Sequence, residues 1–271
     1  MASQPHIELN DGRQMPQLGL GVWRTPADDA ASVVATALDA GYLAVDTAAI
    51  YQNEEGVGKG VHGREVFLTT KLWNADQGYD ETLRAFDVSA KRLGRDDVDL
   101  YLIHWPVPKK DRYVDTWRAL VRLREEGRAK SIGVSNFMPE HLRRIVEETG
   151  VTPAVNQIEL HPRFQQLDAR RVHDEMGIRT ESWSPLGQAQ FLDDPTIKAI
   201  ADKHAKSPAQ AIIRWHLDSG LIVIPKSVNP DRIRQNLDVF DFELDAEDMA
   251  QIAKLDSPEG RIGPNPMTAG F

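Results

Sequence analysis

Eight short apolar runs alternate with amphipathic stretches along this chain, and that alternation narrows the choice of folds more than any other feature. The runs lie at residues 18–23, 43–46, 66–70, 98–103, 129–134, 154–158, 179–182 and 221–224, each rich in the Val, Ile, Leu, Tyr and Phe of a buried strand. Between them, segments such as DDAASVVATALDAG, DETLRAFDVSAKRLG, VDTWRALVRLREEG and PEHLRRIVEETG repeat apolar positions at three and four, and a glycine stops each helix. Eight strand-helix units predict an α/β chain folded as a closed parallel (β/α)8 TIM barrel. No linker or low-complexity break divides residues 1–271, so a single domain is expected. A turn signal at Asn10, Asp11 and Gly12 places an N-terminal β-hairpin before the barrel. Helical patterns at 207–218, 231–240 and 245–255 add extra C-terminal helices.

A doubly wound sheet is the structural competitor, because Gly58-Lys59-Gly60-Val61-His62-Gly63 matches the GxGxxG dinucleotide fingerprint. That fingerprint follows a strand and opens a helix. Here it follows the helix-like NEEGVGKG and runs into the strand EVFLTT, so it reads as a helix end and turn.

Composition removes whole classes of function. The absence of cysteine excludes disulfides, thiolate metal sites and cysteine nucleophiles, and the eight histidines offer neither HExxH nor a pair at i, i+4, so no metal is expected. A formal charge of -9 and a pI near 5.4 argue against nucleic acid as a general partner. The segment MASQPHIELNDG lacks a basic stretch followed by an apolar core, and no apolar run reaches the roughly 18 residues of a membrane span. A cytoplasmic chain with no membrane or obligate protein partner is the expectation.

Asp46, Lys71 and His104 end the runs YLAVD, EVFLTTK and VDLYLIH, and Tyr51 follows Asp46 closely. Later runs end in Ser135-Asn136, Asn156-Gln157 with Glu159, Ser182-Trp183-Ser184 and Lys226-Ser227. In a parallel barrel the C-terminal strand ends face the mouth where substrates bind. Taken singly, each residue has a structural explanation: Asp46 could cap a turn, Lys71 could be a solvated strand end, His104 a satisfied core histidine and Tyr51 an ordinary half-buried aromatic. Recurrence at nearly every strand end points instead to one site. An acid, a phenol, an ammonium and an imidazole gathered there could move a proton, as carbonyl chemistry requires.

The segments GYLAVDTAAIY with NEEGVG, FLTTKLWN, DLYLIHWP, KSIGVSNF, AVNQIELHP, SWSPLGQ and IPKSV carry a family resemblance over almost the whole chain. In order and spacing the chain resembles the aldo-keto reductase superfamily, most of all its short bacterial 2,5-diketo-D-gluconate reductase group. The resemblance implies hydride transfer from NADPH to a small carbonyl substrate, leaving NADP+, with Tyr51 delivering the proton. Asp46 would hold Lys71 charged and oriented, and His104 would position the carbonyl. An ammonium near 4 Å stabilises a phenolate by about 4 kcal/mol at an effective dielectric of 20, roughly three pK units before desolvation, so Lys71 is expected to make Tyr51 a stronger acid.

The same resemblance implies that Ser135, Asn136 and Gln157 contact the nicotinamide carboxamide and that Trp183 stacks on the ring, with Ser184 and Leu186 following in the cofactor-binding loop. Lys226, Ser227, Val228, Arg232 and Asn236 are the implied contacts toward the 2′-phosphate end. There the Asn229-Pro230 helix start is expected to offer free N–H groups to an anion. Gln235 and Asn229 depart from residues that many members carry, which bears on the preference for NADPH over NADH. Trp23, Ile50, Trp73, His104 and Trp105 are the expected substrate wall. The short tail GRIGPNPMTAGF is expected to cover the mouth lightly, leaving it open to small carbonyls such as 2,5-diketo-D-gluconate, methylglyoxal or other dicarbonyls. Two other classes remain: an NADP(H)-binding redox sensor with little turnover, and a barrel lyase or isomerase working by proton transfer alone. A monomer is the family-based expectation.

Overall fold

A computed structural model describes residues 4–269. Strands β1 (His6–Glu8) and β2 (Gln14–Pro16) pair antiparallel in a hairpin. The barrel strands follow as β3 (Leu20–Gly21), β4 (Ala44–Asp46), β5 (Phe67–Leu72), β6 (Val98–Ile103), β7 (Ala129–Ser135), β8 (Val155–Glu159), β9 (Arg179–Trp183) and β10 (Ile222–Val223). Each is parallel to the next in chain order. The ends of the sheet meet: Gly19 N–H donates to the Val223 carbonyl, Val223 N–H donates to the Gln17 carbonyl, both at 2.9 Å, and Gly21 bridges to Lys226. The expected eight-stranded parallel barrel is therefore formed, although β3 and β10 are shorter than their apolar runs.

Helices α1 (Ala27–Ala40), α2 (Glu54–Val61), α3 (Tyr79–Leu93), α4 (Tyr113–Glu125), α5 (Pro139–Thr149) and α6 (Leu167–Met176) make the first six crossovers. Both α7 (Pro195–Lys203) and α8 (Pro208–Asp218) lie between β9 and β10, and α9 (Pro230–Leu237) and α10 (Ala246–Ala253) complete the chain. The pattern at 231–240 overshoots α9. Asp238 turns out of the helix, and its carbonyl accepts from the Gln210 side chain of α8 at 2.7 Å. None of the helices among the described residues is long and apolar enough to cross a membrane.

Alternation along the strands divides the core. One set of side chains, including Leu68, Tyr101, Ile103 and Val134, packs outward on Val34, Phe86, Trp117 and Leu120 of the helices. The other set points inward, where Phe67, Leu100, Leu102, Val155 and Ile222 meet Leu9 and Met15 of the hairpin segment. The hairpin thus plugs the N-terminal end with apolar groups, and Lys71, Gln157 and Glu181 occupy the inward positions further along β5, β8 and β9.

The glycine-rich motif is a packing feature. A Cβ on Gly58 would lie 2.4 Å from the Leu93 carbonyl oxygen at the end of α3, and one on Gly56 or Gly60 would lie 2.7 Å from Ala30 or Val34 of α1. Small residues here let α2 lie close against both neighbours. Gly58→Ala should therefore cost about 1–3 kcal/mol of stability by overpacking, measured by urea unfolding, with dinucleotide affinity of the folded protein unchanged. Lost affinity at unchanged stability would restore the phosphate-loop reading.

Candidate active site

Three neighbouring strands deliver the four residues first singled out. Asp46 ends β4, Lys71 lies one residue before the end of β5, and His104 follows β6 directly. Tyr51 closes a single 3-10 turn, Ala49–Tyr51, whose position is fixed by Asn53. The Asn53 side chain accepts from Thr47 Oγ1 at 2.8 Å and donates to the carbonyls of Val22 at 3.0 Å and Thr25 at 3.2 Å. Lys71 Nζ donates to Asp46 Oδ1 at 2.5 Å and to the Thr47 carbonyl at 2.9 Å, and stands 5.4 Å from the Tyr51 ring centroid. The His104 ring meets Tyr51 and Trp73 edge-on at 5.7 and 5.3 Å.

Burial opposes the charge of Lys71, but the Asp46 carboxylate beside it leads the interactions that raise its pKa, so the group is an ammonium. The expected acidification of Tyr51 does not occur. Burial raises the phenol pKa, the attraction of Lys71 only partly offsets this, and Asp46 adds to the rise. The lysine charge is already matched by Asp46, so it cannot make up for the water that the phenol has lost. Tyr51 consequently stays protonated at neutral pH. Burial and then Lys71 push the His104 pKa well below its ordinary value, leaving a neutral imidazole whose Nδ1 is buried without a hydrogen-bond partner.

A second row of side chains adjoins the first. Ser135 Oγ donates to the Gln157 carbonyl at 2.8 Å, and Asn136 Nδ2 donates to the His104 carbonyl at 2.9 Å and to Ser135 Oγ at 3.0 Å. Trp183 Nε1 donates to Asn136 Oδ1 at 2.8 Å. Gln157 Nε2 donates to both Asp46 Oδ2 at 2.9 Å and Glu181 Oε2 at 2.8 Å. Ser184 adopts a positive φ of 48° beyond Trp183, and Leu186 is half-buried beside it. Glu181 is the residue sequence reasoning missed. Its carboxyl is fully buried and is raised to about 8 by burial and then by Asp46. The available signal was its inward-facing position, two residues before Trp183.

Lys226 and Arg232 are exposed beside the start of α9, with Val228 also exposed and Ser227 and Asn236 buried. The expected free N–H groups are absent. Asn229 Oδ1 accepts from the backbone of Asp231 and Arg232 at 3.0 Å each, Ile233 N–H donates to the Asn229 carbonyl, and Pro230 has no N–H. An anion here is left to side chains. A further cation, Arg24, lies over the Trp23 ring at 4.1 Å and, after burial, helps lower the Lys226 pKa.

The substrate wall is mixed. Trp73 is half-buried and Trp105 buried, whereas Trp23 and Ile50 are exposed. The tail covers more than expected. Ile262 and Gly263 N–H donate to the two oxygens of the buried Glu159 carboxylate at 2.6 and 2.9 Å. A Cβ on Gly263 would lie 2.4 Å from Trp183, and Ala269 packs with Trp105 and Val107. The carboxylate at the end of β8 needs donors, and the tail backbone supplies them. Gly270 and Phe271 lie outside the described residues.

With this arrangement in view, the sequence profile of the Aldo/keto reductase family matches residues 15–257. The chain belongs to that family. Membership makes it an NADP-dependent oxidoreductase. It is 58% identical over 272 residues to an aldo-keto reductase of Mycolicibacterium smegmatis, covering 98% of each chain. It is 51% identical over 273 residues to the methylglyoxal reductase DkgA of Escherichia coli, again covering 98% of each. Among solved structures, a mutant of Gox0644 in complex with NADPH superposes with a TM-score of 0.98 at 59% identity, covering 99% of this chain and 100% of that one.

Because Glu181 holds a proton in the folded chain that the unfolded chain releases between its ordinary value of 4.5 and about 8, it lowers stability progressively as pH rises through that window. Glu181→Gln has no such proton to lose. Thermal melts should show the variant gaining stability relative to the parent from about pH 5 to 8; a pH-independent difference would mean the carboxyl is ionised in the fold.

Proposed function

We propose that the chain reduces small aldehydes and ketones with NADPH, Tyr51 serving as the proton donor. The observation that carries this reading is the buried Asp46–Lys71 pair, with the Lys71 ammonium 5.4 Å from the half-buried Tyr51 ring, beside a neutral His104. The reduced nicotinamide, when bound, supplies the hydride for the carbonyl carbon. The surrounding residues suit that group. Ser135 Oγ, Asn136 Oδ1 and the Gln157 side-chain carbonyl each keep acceptor capacity after the bonds described above, and a carboxamide N–H2 is a donor. Trp183, pinned at its Nε1 by Asn136, offers an indole face for stacking. Lys226, Ser227 and Arg232 offer charge and hydroxyl groups to a 2′-phosphate, with Arg24 as an added cation, while Asn236 and Val228 border that end.

Tyr51 is protonated and so can give its proton to the substrate oxygen as negative charge develops there. Lys71 stabilises the phenolate left behind, and Asp46 keeps Lys71 charged through that change. His104, neutral and buried, donates a hydrogen bond to the same oxygen and orients the carbonyl. Trp73 and Trp105 form the apolar wall, with Trp23 and Ile50 at its rim and Ala269 of the tail packed against it. A small dicarbonyl such as methylglyoxal is the substrate this reading favours, in keeping with the methylglyoxal reductases to which the chain is similar.

Loss of reduced-nicotinamide absorbance on a panel including methylglyoxal and 2,5-diketo-D-gluconate, run with NADPH and NADH, tests the reading. Tight NADPH binding without turnover on any carbonyl would favour a redox sensor. Tyr51→Phe should keep NADPH affinity and lower kcat by about 100- to 10,000-fold, the range of a lost general acid; near-normal kcat would remove Tyr51 from the role. Arg232→Ala should weaken NADPH by about 10- to 100-fold and leave NADH almost unchanged, because charged hydrogen bonds to the extra phosphate are lost. Equal effects on the two cofactors would place the phosphate elsewhere.

A further inference from the structure

We propose that Glu181 is a positioning residue for the nicotinamide carboxamide: as second acceptor for the Gln157 amide, beside Asp46, it locks that amide with its carbonyl oxygen as the one group left to present. The proposal rests on the reading that Gln157 contacts the carboxamide. A primary amide has two N–H donors and one carbonyl. One Gln157 N–H goes to Asp46 Oδ2 at 2.9 Å and the other to Glu181 Oε2 at 2.8 Å. Reversing the amide would turn its oxygen toward the Asp46 carboxylate, which has no hydrogen to give it. With Asp46 alone, one donor would be satisfied and the amide could pivot about that single bond.

Glu181 can fill this role without disturbing the charges nearby. It is fully buried, its Oε1 has no partner, and the narrow space around it, mostly apolar with Met15, Pro16, Ile222 and Ile224 but also touching Asp46 and Thr69, has no room for water. Among the described residues, Asp46 from β4, Lys71 from β5 and the Tyr51 phenol are the titratable groups that face it. An ionised carboxylate there would add a second negative charge beside Asp46. Burial keeps the proton on Glu181 at neutral pH, so the group accepts from Gln157 as a neutral acid and Lys71 still faces a single carboxylate.

The test compares dissociation constants, read by tryptophan fluorescence, for NADPH and for its reduced 3-acetylpyridine analogue, whose methyl ketone lacks the carboxamide N–H2. The parent should prefer NADPH by about tenfold, the worth of one good hydrogen bond. Glu181→Met, similar in length but without an acceptor, should reduce that preference severalfold by weakening NADPH, with Ser135 and Asn136 still able to accept from the carboxamide. Glu181→Gln, which keeps an acceptor oxygen, should restore it, an outcome that a purely space-filling role would not produce. Glu181→Ala makes the same comparison where Met packs poorly. Gln157→Ala separates the two readings. A reduced preference in Gln157→Ala but not in Glu181→Met would overturn the positioning role alone; an undiminished preference in Gln157→Ala would overturn the carboxamide contact and the proposal with it.

Discussion

The buried Lys71–Asp46 pair is the interaction around which the upper barrel is arranged. Taking two ions out of water costs several kcal/mol each, and such a pair persists only when its remaining donors and acceptors are satisfied. Thr47 supplies a carbonyl to the ammonium, and Gln157 supplies an N–H to the second carboxylate oxygen. Removing one partner of a buried pair costs about 3–5 kcal/mol, because an uncompensated charge is left inside. The parallel register makes the pair possible: Asp46 aligns with Thr69, so Lys71 lies one inward step beyond it on the adjacent strand.

From that pair the network spreads across the mouth. Gln157 joins Asp46 to Glu181, Ser135 and Asn136 tie the ends of β6, β7 and β8 together, and Asn136 reaches Trp183 on β9. Trp183 is held from two sides, by Asn136 at its indole nitrogen and by Gly263 of the tail, which Glu159 anchors. Six strands, β4 to β9, thereby share one set of hydrogen bonds, and displacing any one side chain disturbs the others.

The barrel and the gathering of Asp46, Lys71 and His104 at its mouth were legible in the chain because each of these three ends an apolar run, and strand ends gather wherever parallel strands close on themselves. Boundaries were legible to within a few residues. What escaped depends on contacts between distant parts. The tail looked light because nothing local to GRIGPNPMTAGF marks it as ordered; its anchor, Glu159, lies on β8. Glu181 stood in a run read only for its ending at Trp183. At α9 the side-chain cap of Asn229 removed donors that a helix start ordinarily leaves free.

The acidity of Tyr51 shows why chemistry read from residue types needs geometry to settle its sign. Coulomb attraction to an ammonium lowers a phenol pKa, but burial and the carboxylate that neutralises the same ammonium both raise it, and here they win. A donor does not need a low resting pKa. It needs to hold its proton until charge develops on the acceptor, and then to have its own charge stabilised. A protonated phenol next to a charged lysine meets both conditions, and the neutral state of Glu181 preserves them by keeping a second negative charge away from Lys71 and Tyr51. In the proposed reduction, proton delivery is therefore left to be triggered by the substrate.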